Sequence, residues 1–185
     1  MALTVENQPT GPAAPPLIVV MGVSGVGKTT VARLLADRLG LPYAEADDFH
    51  PAANIAKMTA GIPLDDEDRA PWLRALGGWL GERGRAGTGA VVTCSALKRR
   101  YRDTLRAGCP DVYFLHLDGS HQLVGHRLAA RTGHFMPTSL LDSQYALLEP
   151  LQEDEHGAVL DVGSTPEDLV EKAAALLRPV NGDLA

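Results

Sequence analysis

The sequence predicts a three-layer α/β domain built around a parallel sheet. Short apolar runs alternate with amphipathic segments of helical period, which is the pattern of repeated strand–helix units. The runs are apolar at consecutive positions, as expected for strands that are buried on both faces of a sheet. A chain of 185 residues is long enough to form one such domain with a sizeable core.

The apolar runs predict strands at residues 17–21, 41–44, 90–94, 112–117 and 158–162. The amphipathic segments predict helices at residues 30–39, 50–60, 65–80, 97–107, 122–131, 138–148 and 166–177. Gly40 is expected to end the first helix, and the glycines at 84, 87 and 89 are expected to form a loop. Ligands of open parallel sheets bind beyond the carboxyl ends of the strands, so the residues that follow the strands are candidates for a site.

The flanks of the chain differ from this pattern. Residues 1–16 carry four prolines among small and polar residues without periodicity, which predicts a disordered leader. A single domain is expected over residues 17–180, followed by a tail at 181–185.

Composition excludes several classes of protein. A net charge of −6 leaves no broad basic surface to neutralise the phosphates of a nucleic acid. No apolar run approaches the roughly 20 residues that cross a bilayer, and no signal-peptide pattern is found. Cys94 and Cys109 show neither metal-ligand spacing nor a disulfide pattern, so buried free thiols are expected. Together these features predict a soluble cytoplasmic protein without a nucleic-acid or membrane partner.

A phosphate-binding loop is the strongest functional signal in the sequence. Residues 22–29 read Gly-Val-Ser-Gly-Val-Gly-Lys-Thr between a predicted strand and a predicted helix, which fits G-x-x-x-x-G-K-[ST] in its required context. Glycines let backbone N–H groups turn towards a phosphate, and the following helix presents its positive end to the same anion. Lys28 is expected to reach the outer phosphates of a nucleoside triphosphate, and the Thr29 hydroxyl to ligate the accompanying Mg²⁺. The predicted nucleotide-binding residues are Gly22, Val23, Ser24, Gly25, Val26, Gly27, Lys28, Thr29 and Thr30.

Asp47 is the best candidate for the group that orients or deprotonates an attacking hydroxyl. It follows the second predicted strand, which is expected to lie next to the strand of the phosphate loop. A carboxylate there can face both the Mg²⁺ shell and an acceptor. The alternative is that Asp47 or Asp48 caps the helix that begins near His50. The acidic run at 65–68 is expected to act structurally, by offsetting the dipole of the helix that it begins.

Arg127 and Arg131 are candidates for the cations that stabilise the transferred phosphoryl group. They lie four residues apart, on one face of a predicted helix, just before a break at Gly133. A lid that closes on this break could bring one or both onto the phosphates. The alternative is a pair of arginines on a solvated helix face.

A GTP-dependent switch is a competing interpretation of the phosphate loop. Such a protein is expected to carry Asn-Lys-x-Asp for guanine recognition, which this sequence lacks. The Asp-x-x-Gly at residues 37–40 ends a predicted helix instead of following a strand. A kinase that acts on a small molecule is therefore favoured.

Several blocks of the sequence resemble the gluconate kinases of the phosphate-loop type. The resemblance runs in unbroken order over residues 19–149, and its blocks are residues 22–29, 47–51, 54, 57–58, 61–69, 71–73, 94–98, 101–103, 127–137 and 143–144. It implies the fold of the nucleoside monophosphate kinases, a parallel sheet of the P-loop NTPase type with a helical substrate-binding insertion at about 46–85 and a lid at about 127–140.

The resemblance also implies an activity. This is the phosphorylation of D-gluconate at its 6-hydroxyl by ATP and Mg²⁺, giving 6-phosphogluconate and ADP, in an enzyme that is commonly a homodimer. Another small-molecule kinase, of the shikimate or nucleotide type, remains the alternative. The family often has Asp where this chain has Glu45, which makes Glu45 a weaker candidate for the water shell of the metal.

Gluconate is a polyol with one carboxylate, so its site should offer hydrogen-bonding groups and at least one cation. The predicted substrate-binding residues are Asp47, His50, Lys57, Arg69, Ser95, Arg102 and His134, with Lys98 as a further possibility. The predicted catalytic residues are Lys28, Asp47, Arg127 and Arg131, and the predicted metal ligand is Thr29. Capping by His50, and pairing of Arg69 with the acidic run, remain alternative roles.

Overall fold

The computed structural model describes residues 14–130 and 138–178 of the chain. The strands of its sheet are β1 (Leu17–Met21), β2 (Tyr43–Glu45), β3 (Ala90–Thr93), β4 (Tyr113–Asp118) and β5 (Gly157–Asp161). They are parallel and lie in the order β2-β3-β1-β4-β5. The helices are α1 (Lys28–Leu39), α2 (Ala52–Thr59), α3 (Asp66–Arg85), α4 (Arg99–Gly108), α5 (His121–Ala129), α6 (Thr138–Leu147) and α7 (Pro166–Leu176). A 3₁₀ turn at Ala46–Phe49 joins β2 to α2.

Helices cover both faces of the sheet and make two cores. On one face α1 and α7 pack over Ile18 and Val20 of β1. On the other face α3 and α4 pack over Val19 and Met21. Successive residues of a strand point to opposite faces, so a strand between two cores is apolar at every position. The predicted three-layer α/β fold is therefore confirmed. No helix in the ranges 14–130 and 138–178 is long and apolar enough to span a bilayer.

The acidic run begins α3 as predicted. The backbone N–H of Asp68 donates to Asp65 Oδ1 at 2.8 Å, and the N–H of Asp65 donates to Asp68 Oδ2 at 3.1 Å. This reciprocal capping box satisfies two donors that the first turn of a helix leaves unpaired. It fixes the place where the segment after α2 turns back towards the sheet.

Glycines allow α3 and α4 to pack at very short range. A Cβ added at Gly81 would stand 2.3 Å from the carbonyl oxygen of Gly108, and one at Gly108 would stand 2.5 Å from the carbonyl carbon of Gly77. Only hydrogen fits at these positions. Gly84 also lies inside α3, so its predicted place in a loop is wrong, whereas Gly87 and Gly89 follow the helix. Burial of the apolar face of α3 outweighs the low helix propensity of glycine.

The second strand differs from its prediction in two ways. It covers Tyr43–Glu45, because Leu41 still belongs to the end of α1: its N–H donates to Ala36 O at 2.9 Å, around Gly40 at φ 66°. It also lies at the edge of the sheet, with β3 between it and β1, so it is not adjacent to the strand of the phosphate loop.

The chain before β1 is tied to the sheet at one residue of the predicted leader. Pro16 O accepts a hydrogen bond from Ala90 N at 3.1 Å, which extends the pairing of β1 with β3. Residues 1–13, with most of the predicted leader, lie outside the described residues, as does the predicted tail.

Candidate active site

The phosphate loop joins β1 to α1 at the carboxyl edge of the sheet. Gly22, Gly25 and Gly27 have φ values of 142°, 83° and 104°, a region that side chains disfavour. A Cβ at Gly22 would lie 2.6 Å from Leu117 O, so the loop starts pressed against the end of β4. Gly27 precedes α1 without a side-chain cap, which leaves the first N–H groups of the helix open to an anion.

Lys28 lies across this loop. Its Nζ donates to Gly22 O and Val23 O, at 3.0 Å in both cases. The ammonium group is thus held over the loop by its own backbone, within reach of a phosphate seated on it.

Glu45 lies beside the predicted metal ligand Thr29. It ends β2 and accepts hydrogen bonds from the hydroxyls of Tyr43 and Thr93. Burial alone would raise the pKa of Glu45, but the hydrogen bonds from Thr93, Tyr43 and Thr29 together hold that pKa below its ordinary value. An ionised carboxylate next to the Thr29 hydroxyl offers oxygen donors of the kind that suit Mg²⁺.

Asp47 and His50 face each other across the 3₁₀ turn after β2. The side chain of Asp47 is 90% exposed, and its Oδ1 lies 3.9 Å from Nε2 of the buried His50. Pro51 occupies the cap position of α2, with no side-chain cap there. The alternative in which Asp47, Asp48 or His50 caps this helix is therefore wrong.

Arg69 and Lys28 join Asp47 around the end of β3. Burial raises the pKa of the Cys94 thiol to about 12, and the charges of Lys28, Asp47 and Arg69 all act on this thiol. The three charged groups therefore belong to the surroundings of Cys94, which directly follows β3 at the carboxyl edge of the sheet. Ser95 follows directly, and its carbonyl accepts the N–H of Gly22 at 3.3 Å.

Arg69 is oriented by an aromatic ring. Its Nη1 donates to Tyr101 Oη at 3.1 Å, and its guanidinium carbon lies 5.7 Å from the centre of the Tyr101 ring. The side chain of Arg69 thus contacts a tyrosine of α4, and the predicted pairing of Arg69 with the acidic run is not the arrangement found.

The two candidate lysines are bound to the first turn of α3. Lys57 Nζ lies 2.7 and 2.8 Å from the carboxylate oxygens of Asp68, and Lys98 Nζ lies 3.1 and 3.2 Å from those of Asp66. Hydrogen bonds from Tyr101 and Lys98 lower the pKa of Asp66 to about 2. The acidic turn therefore places both ammonium groups along the edge of the candidate site.

Arg102 does not belong to the site, which corrects its prediction as a substrate-binding residue. The side chain is 0% exposed, and its guanidinium forms a two-pronged ion pair with Glu155 at 2.6 and 2.9 Å. The remaining donors bind backbone oxygens of two loops, those of Ala96, Leu97, Glu149 and Pro150. Every donor of the guanidinium is therefore used inside the protein.

Arg127 points to the loop after β5. Its Nη2 donates to Val162 O at 2.6 Å, while the adjacent Leu128 fills the space above Gly25, where an added Cβ would be 2.5 Å away. The helix α5 thus contacts the phosphate loop, although the guanidinium of Arg127 is directed elsewhere. Arg131 and His134, the other predicted lid residues, lie outside the described residues.

Three residues near the site have contacts that the sequence does not predict. Gln144 of α6 forms two hydrogen bonds with Ser24 of the phosphate loop. Its Oε1 accepts from the Ser24 N–H at 2.6 Å, and its Nε2 donates to Ser24 Oγ at 3.0 Å. Asn54 and Trp72 surround His50. Gln144 and Asn54 fall in blocks of the family resemblance, but only the fold brings Gln144 to a loop 120 residues earlier.

Comparisons with known proteins agree on one class of enzyme. The AAA_33 family, described as an AAA domain, matches residues 17–151. The gluconokinase of Gluconobacter oxydans (strain 621H) is 55% identical over 141 residues, covering 76% of this chain and 79% of that protein.

Solved structures give the same result. The chain is similar to a sugar kinase from Janibacter sp. HTCC2649, with 56% identity and a TM-score of 0.81 over 88% of this chain and 94% of the other. It is also similar to a gluconokinase from Sinorhizobium meliloti 1021, with 45% identity and a TM-score of 0.79 over 88% of this chain and 91% of the other.

Proposed function

Because the chain belongs to the gluconokinase family of phosphate-loop kinases, we propose that it transfers the terminal phosphoryl group of ATP to D-gluconate. The acceptor is the 6-hydroxyl, and the products are 6-phosphogluconate and ADP. One observation in the structure carries the proposal: the glycine-rich phosphate loop holds Lys28 over its own backbone and is hydrogen-bonded through Gly22 N to Ser95 O, beyond the end of β3. Asp47 follows the neighbouring strand β2, and its exposed carboxylate, 3.9 Å from His50, can act on a small acceptor at the same edge of the sheet.

The nucleotide is proposed to bind at residues 22–30. Backbone N–H groups of the loop and of the first turn of α1 surround the phosphates, and Lys28 exchanges its two loop carbonyls for phosphate oxygens. Charge-assisted bonds to phosphate are stronger than the bonds to neutral carbonyls that they replace.

A magnesium ion is proposed at Thr29, with Glu45 as the neighbouring acceptor for its bound water. When bound, the ion would neutralise the negative charge that develops on the phosphoryl group during transfer. The described residues contain no group of three or more His, Cys, Asp or Glu side chains placed to hold a metal. A site made of Thr29, phosphates and water is in keeping with the way Mg²⁺ binds in kinases.

Asp47 is proposed as the residue that accepts the proton of the attacking hydroxyl. Its carboxylate is exposed, and Oδ1 lies 3.9 Å from Nε2 of His50. We propose that Arg69, Lys57 and Lys98 attract the carboxylate of gluconate, with Ser95 as a hydrogen-bonding group. Arg131 and His134 are proposed to act from the lid, where Arg131 stabilises the phosphoryl group in transfer. For Arg127, its bond to Val162 O supports a part in shaping the loop after β5.

A coupled assay of ADP release tests the proposal. D-gluconate, shikimate and nucleoside monophosphates are offered in parallel, with Lys28→Ala as the inactive control. Turnover is expected with gluconate alone, and ³¹P NMR of the product should show a phosphate ester at C6. Equal turnover of the other acceptors would end the claim for gluconate.

We also propose a cytoplasmic homodimer, which the family resemblance supports. Light scattering coupled to size-exclusion chromatography is expected to give a mass of twice the 19.6 kDa chain. A monomeric mass at micromolar concentration would contradict the dimer.

A further inference from the structure

The imidazole ring of His50 has a fixed plane. Its side chain is only 5% exposed and stacks on the indole of Trp72, with ring centres 4.2 Å apart and an angle of 17° between the planes. Trp72 is fixed in turn, since its Nε1 donates to Ala46 O at 2.6 Å. The two ring nitrogens of His50 are therefore presented in defined directions.

The side-chain amide of Asn54 also has a defined orientation. Asn54 is buried in α2, and the atom of its amide that faces Asp68 O lies 2.8 Å from it. A backbone carbonyl can only accept, so the amide nitrogen must stand there; the reversed amide would bring two oxygens together. The contact with Asp68 O alone therefore fixes the position of Nδ2, independently of His50.

This assignment fixes the tautomer of His50. The same Nδ2 atom lies 3.3 Å from Nδ1 of His50. An amide nitrogen has two donors and no acceptor, so Nδ1 must accept the second N–H, and the proton of the neutral ring resides on Nε2. A charged ring would set two donors against each other. Burial lowers the pKa of His50; Asp47 opposes this shift and Arg69 reinforces it.

The protonated nitrogen faces the candidate catalytic carboxylate. Nε2 lies 3.9 Å from Asp47 Oδ1, which is too long for a hydrogen bond between them. An oxygen atom at a hydrogen-bond distance of about 2.8 Å from both groups fits this spacing. A substrate hydroxyl in that position would accept from Nε2–H and donate its own proton to Asp47.

We propose that Asn54 is a positioning residue that holds His50 in the Nε2–H tautomer, so that His50 donates to the substrate hydroxyl from which Asp47 takes the proton. The two residues thereby have separate tasks: His50 fixes the oxygen atom, and Asp47 is the base. This inference deepens the proposed function and rests on it for the identity of the hydroxyl.

The tautomer can be read directly in the ligand-free protein. Long-range ¹H–¹⁵N correlation spectra of the protein with ¹⁵N-labelled histidine distinguish the tautomers, and the His50 signals are those lost in His50→Gln. At neutral pH we expect the Nε2–H pattern. An Nδ1–H pattern or a charged imidazolium would overturn the inference. This measurement does not depend on gluconate, so it stands even if the substrate is a different one.

Kinetics then test the role of Asn54. In Asn54→Asp a carboxylate oxygen replaces Nδ2 and accepts from Nδ1–H, which reverses the tautomer of the neutral ring and removes the donor at Nε2; the same oxygen faces Asp68 O, so thermal melting must accompany the kinetics. Loss of one such hydrogen bond should raise the KM for gluconate roughly 10-fold, with the KM for ATP unchanged. His50→Gln keeps an N–H donor and should retain more activity than His50→Leu.

A double-variant cycle separates positioning from simple structural support. If Asn54 acts through His50, then Asn54→Asp should have little further effect in the His50→Gln background. Additive effects, or equal losses in His50→Gln and His50→Leu, would overturn the role of the pair. Thermal melting of each variant identifies any loss that comes from unfolding; the comparison of the two His50 variants remains decisive if Asn54→Asp does not fold.

Discussion

Acidic side chains around the candidate site have different roles despite their similar chemistry. Asp66 and Asp68 bind Lys98 and Lys57 and organise the start of α3. Asp47, by contrast, is 90% exposed and faces the mouth of the site. A carboxylate that is accessible to a substrate can accept a proton, whereas carboxylates committed to ion pairs shape the surrounding surface.

Asp47→Asn is predicted to lower kcat by about 10²- to 10⁴-fold, because the amide cannot accept the proton of the hydroxyl. The affinity for ATP should stay near that of the wild type, since the phosphate loop is unaltered. Steady-state kinetics and nucleotide titration measure the two effects. An unchanged kcat would remove Asp47 from the mechanism.

His116 is predicted to make folding sensitive to mild acid. It lies in β4, 4% exposed, and both ring nitrogens lack a hydrogen-bond partner among the residues described. Burial lowers its pKa, which Asp118 opposes and Arg102 reinforces. The imidazole of His116 therefore binds a proton less readily in the folded state than in the unfolded chain. The contribution of neutral His116 to the free energy of unfolding is therefore complete above the pKa of about 6.5 that histidine has in the unfolded chain, and it is lost as the pH falls below that value.

His116→Leu should reduce this loss of stability. Its free energy of unfolding should differ less between pH 8 and pH 5.5 than that of the wild type, as measured by urea denaturation. Replacing a buried, unpaired polar group by an apolar one of similar volume is also expected to cost little at pH 8. The same acid sensitivity in the variant would show that other groups carry the effect.

At the scale of elements, the contact between α3 and α4 provides a matched pair of variants. Gly81 and Gly78 both lie in α3, but a Cβ at Gly81 would collide with Gly108 O, whereas one at Gly78 meets nothing within 4 Å. Gly81→Ala should destabilise the protein by about 1 to 3 kcal/mol, because the helices must move apart. Gly78→Ala should stabilise it by about 0.5 to 1 kcal/mol through helix propensity. Chemical denaturation of both variants tests this contact; equal effects would argue against it.

Local sequence patterns predicted most elements, and tertiary contacts explain the differences. The phosphate loop could be predicted because its glycines, lysine and threonine are adjacent in sequence and act through their own backbone. The edge position of β2 could not, since it depends on the insertion of β3 between β2 and β1. Nor could the helical state of Gly84, which depends on packing of the whole of α3.

For the whole molecule, the buried pair of Arg102 and Glu155 joins parts that are distant in sequence. It ties the segment after β3 to the segment before β5, across 53 residues. A sequence pattern cannot reveal an ion-pair partner at such a separation. Without Glu155, the positive charge of Arg102 indicates a substrate-binding residue. Its charge suited gluconate, but the fold has no solvent-exposed place for it.

Arg102→Met is predicted to destabilise the protein by about 3 to 5 kcal/mol, because the buried Glu155 would lose its two-pronged partner and keep only Arg99, 3.7 Å away. The KM for gluconate of the remaining folded enzyme should change little. Arg38→Met is the control: Arg38 pairs with Glu171 on the surface, and loss of this exposed ion pair should leave the stability close to that of the wild type. A raised KM in Arg102→Met without loss of stability would restore Arg102 to the substrate site.

The rates at which the two buried thiols are alkylated can report local opening of the structure. Cys94 and Cys109 are both free, and burial raises the pKa of each. Alkylating reagents react with exposed thiolates, so labelling requires the structure to open first. Cys94 lies under the charges of Lys28 and Asp47, so ligands that hold the site closed should slow its modification more than that of Cys109. Mass spectrometry of iodoacetamide-treated protein would thus measure local opening at the catalytic edge, where Cys94 follows β3, and at the opposite edge of the sheet, where Cys109 precedes β4, separately and without any engineered probe.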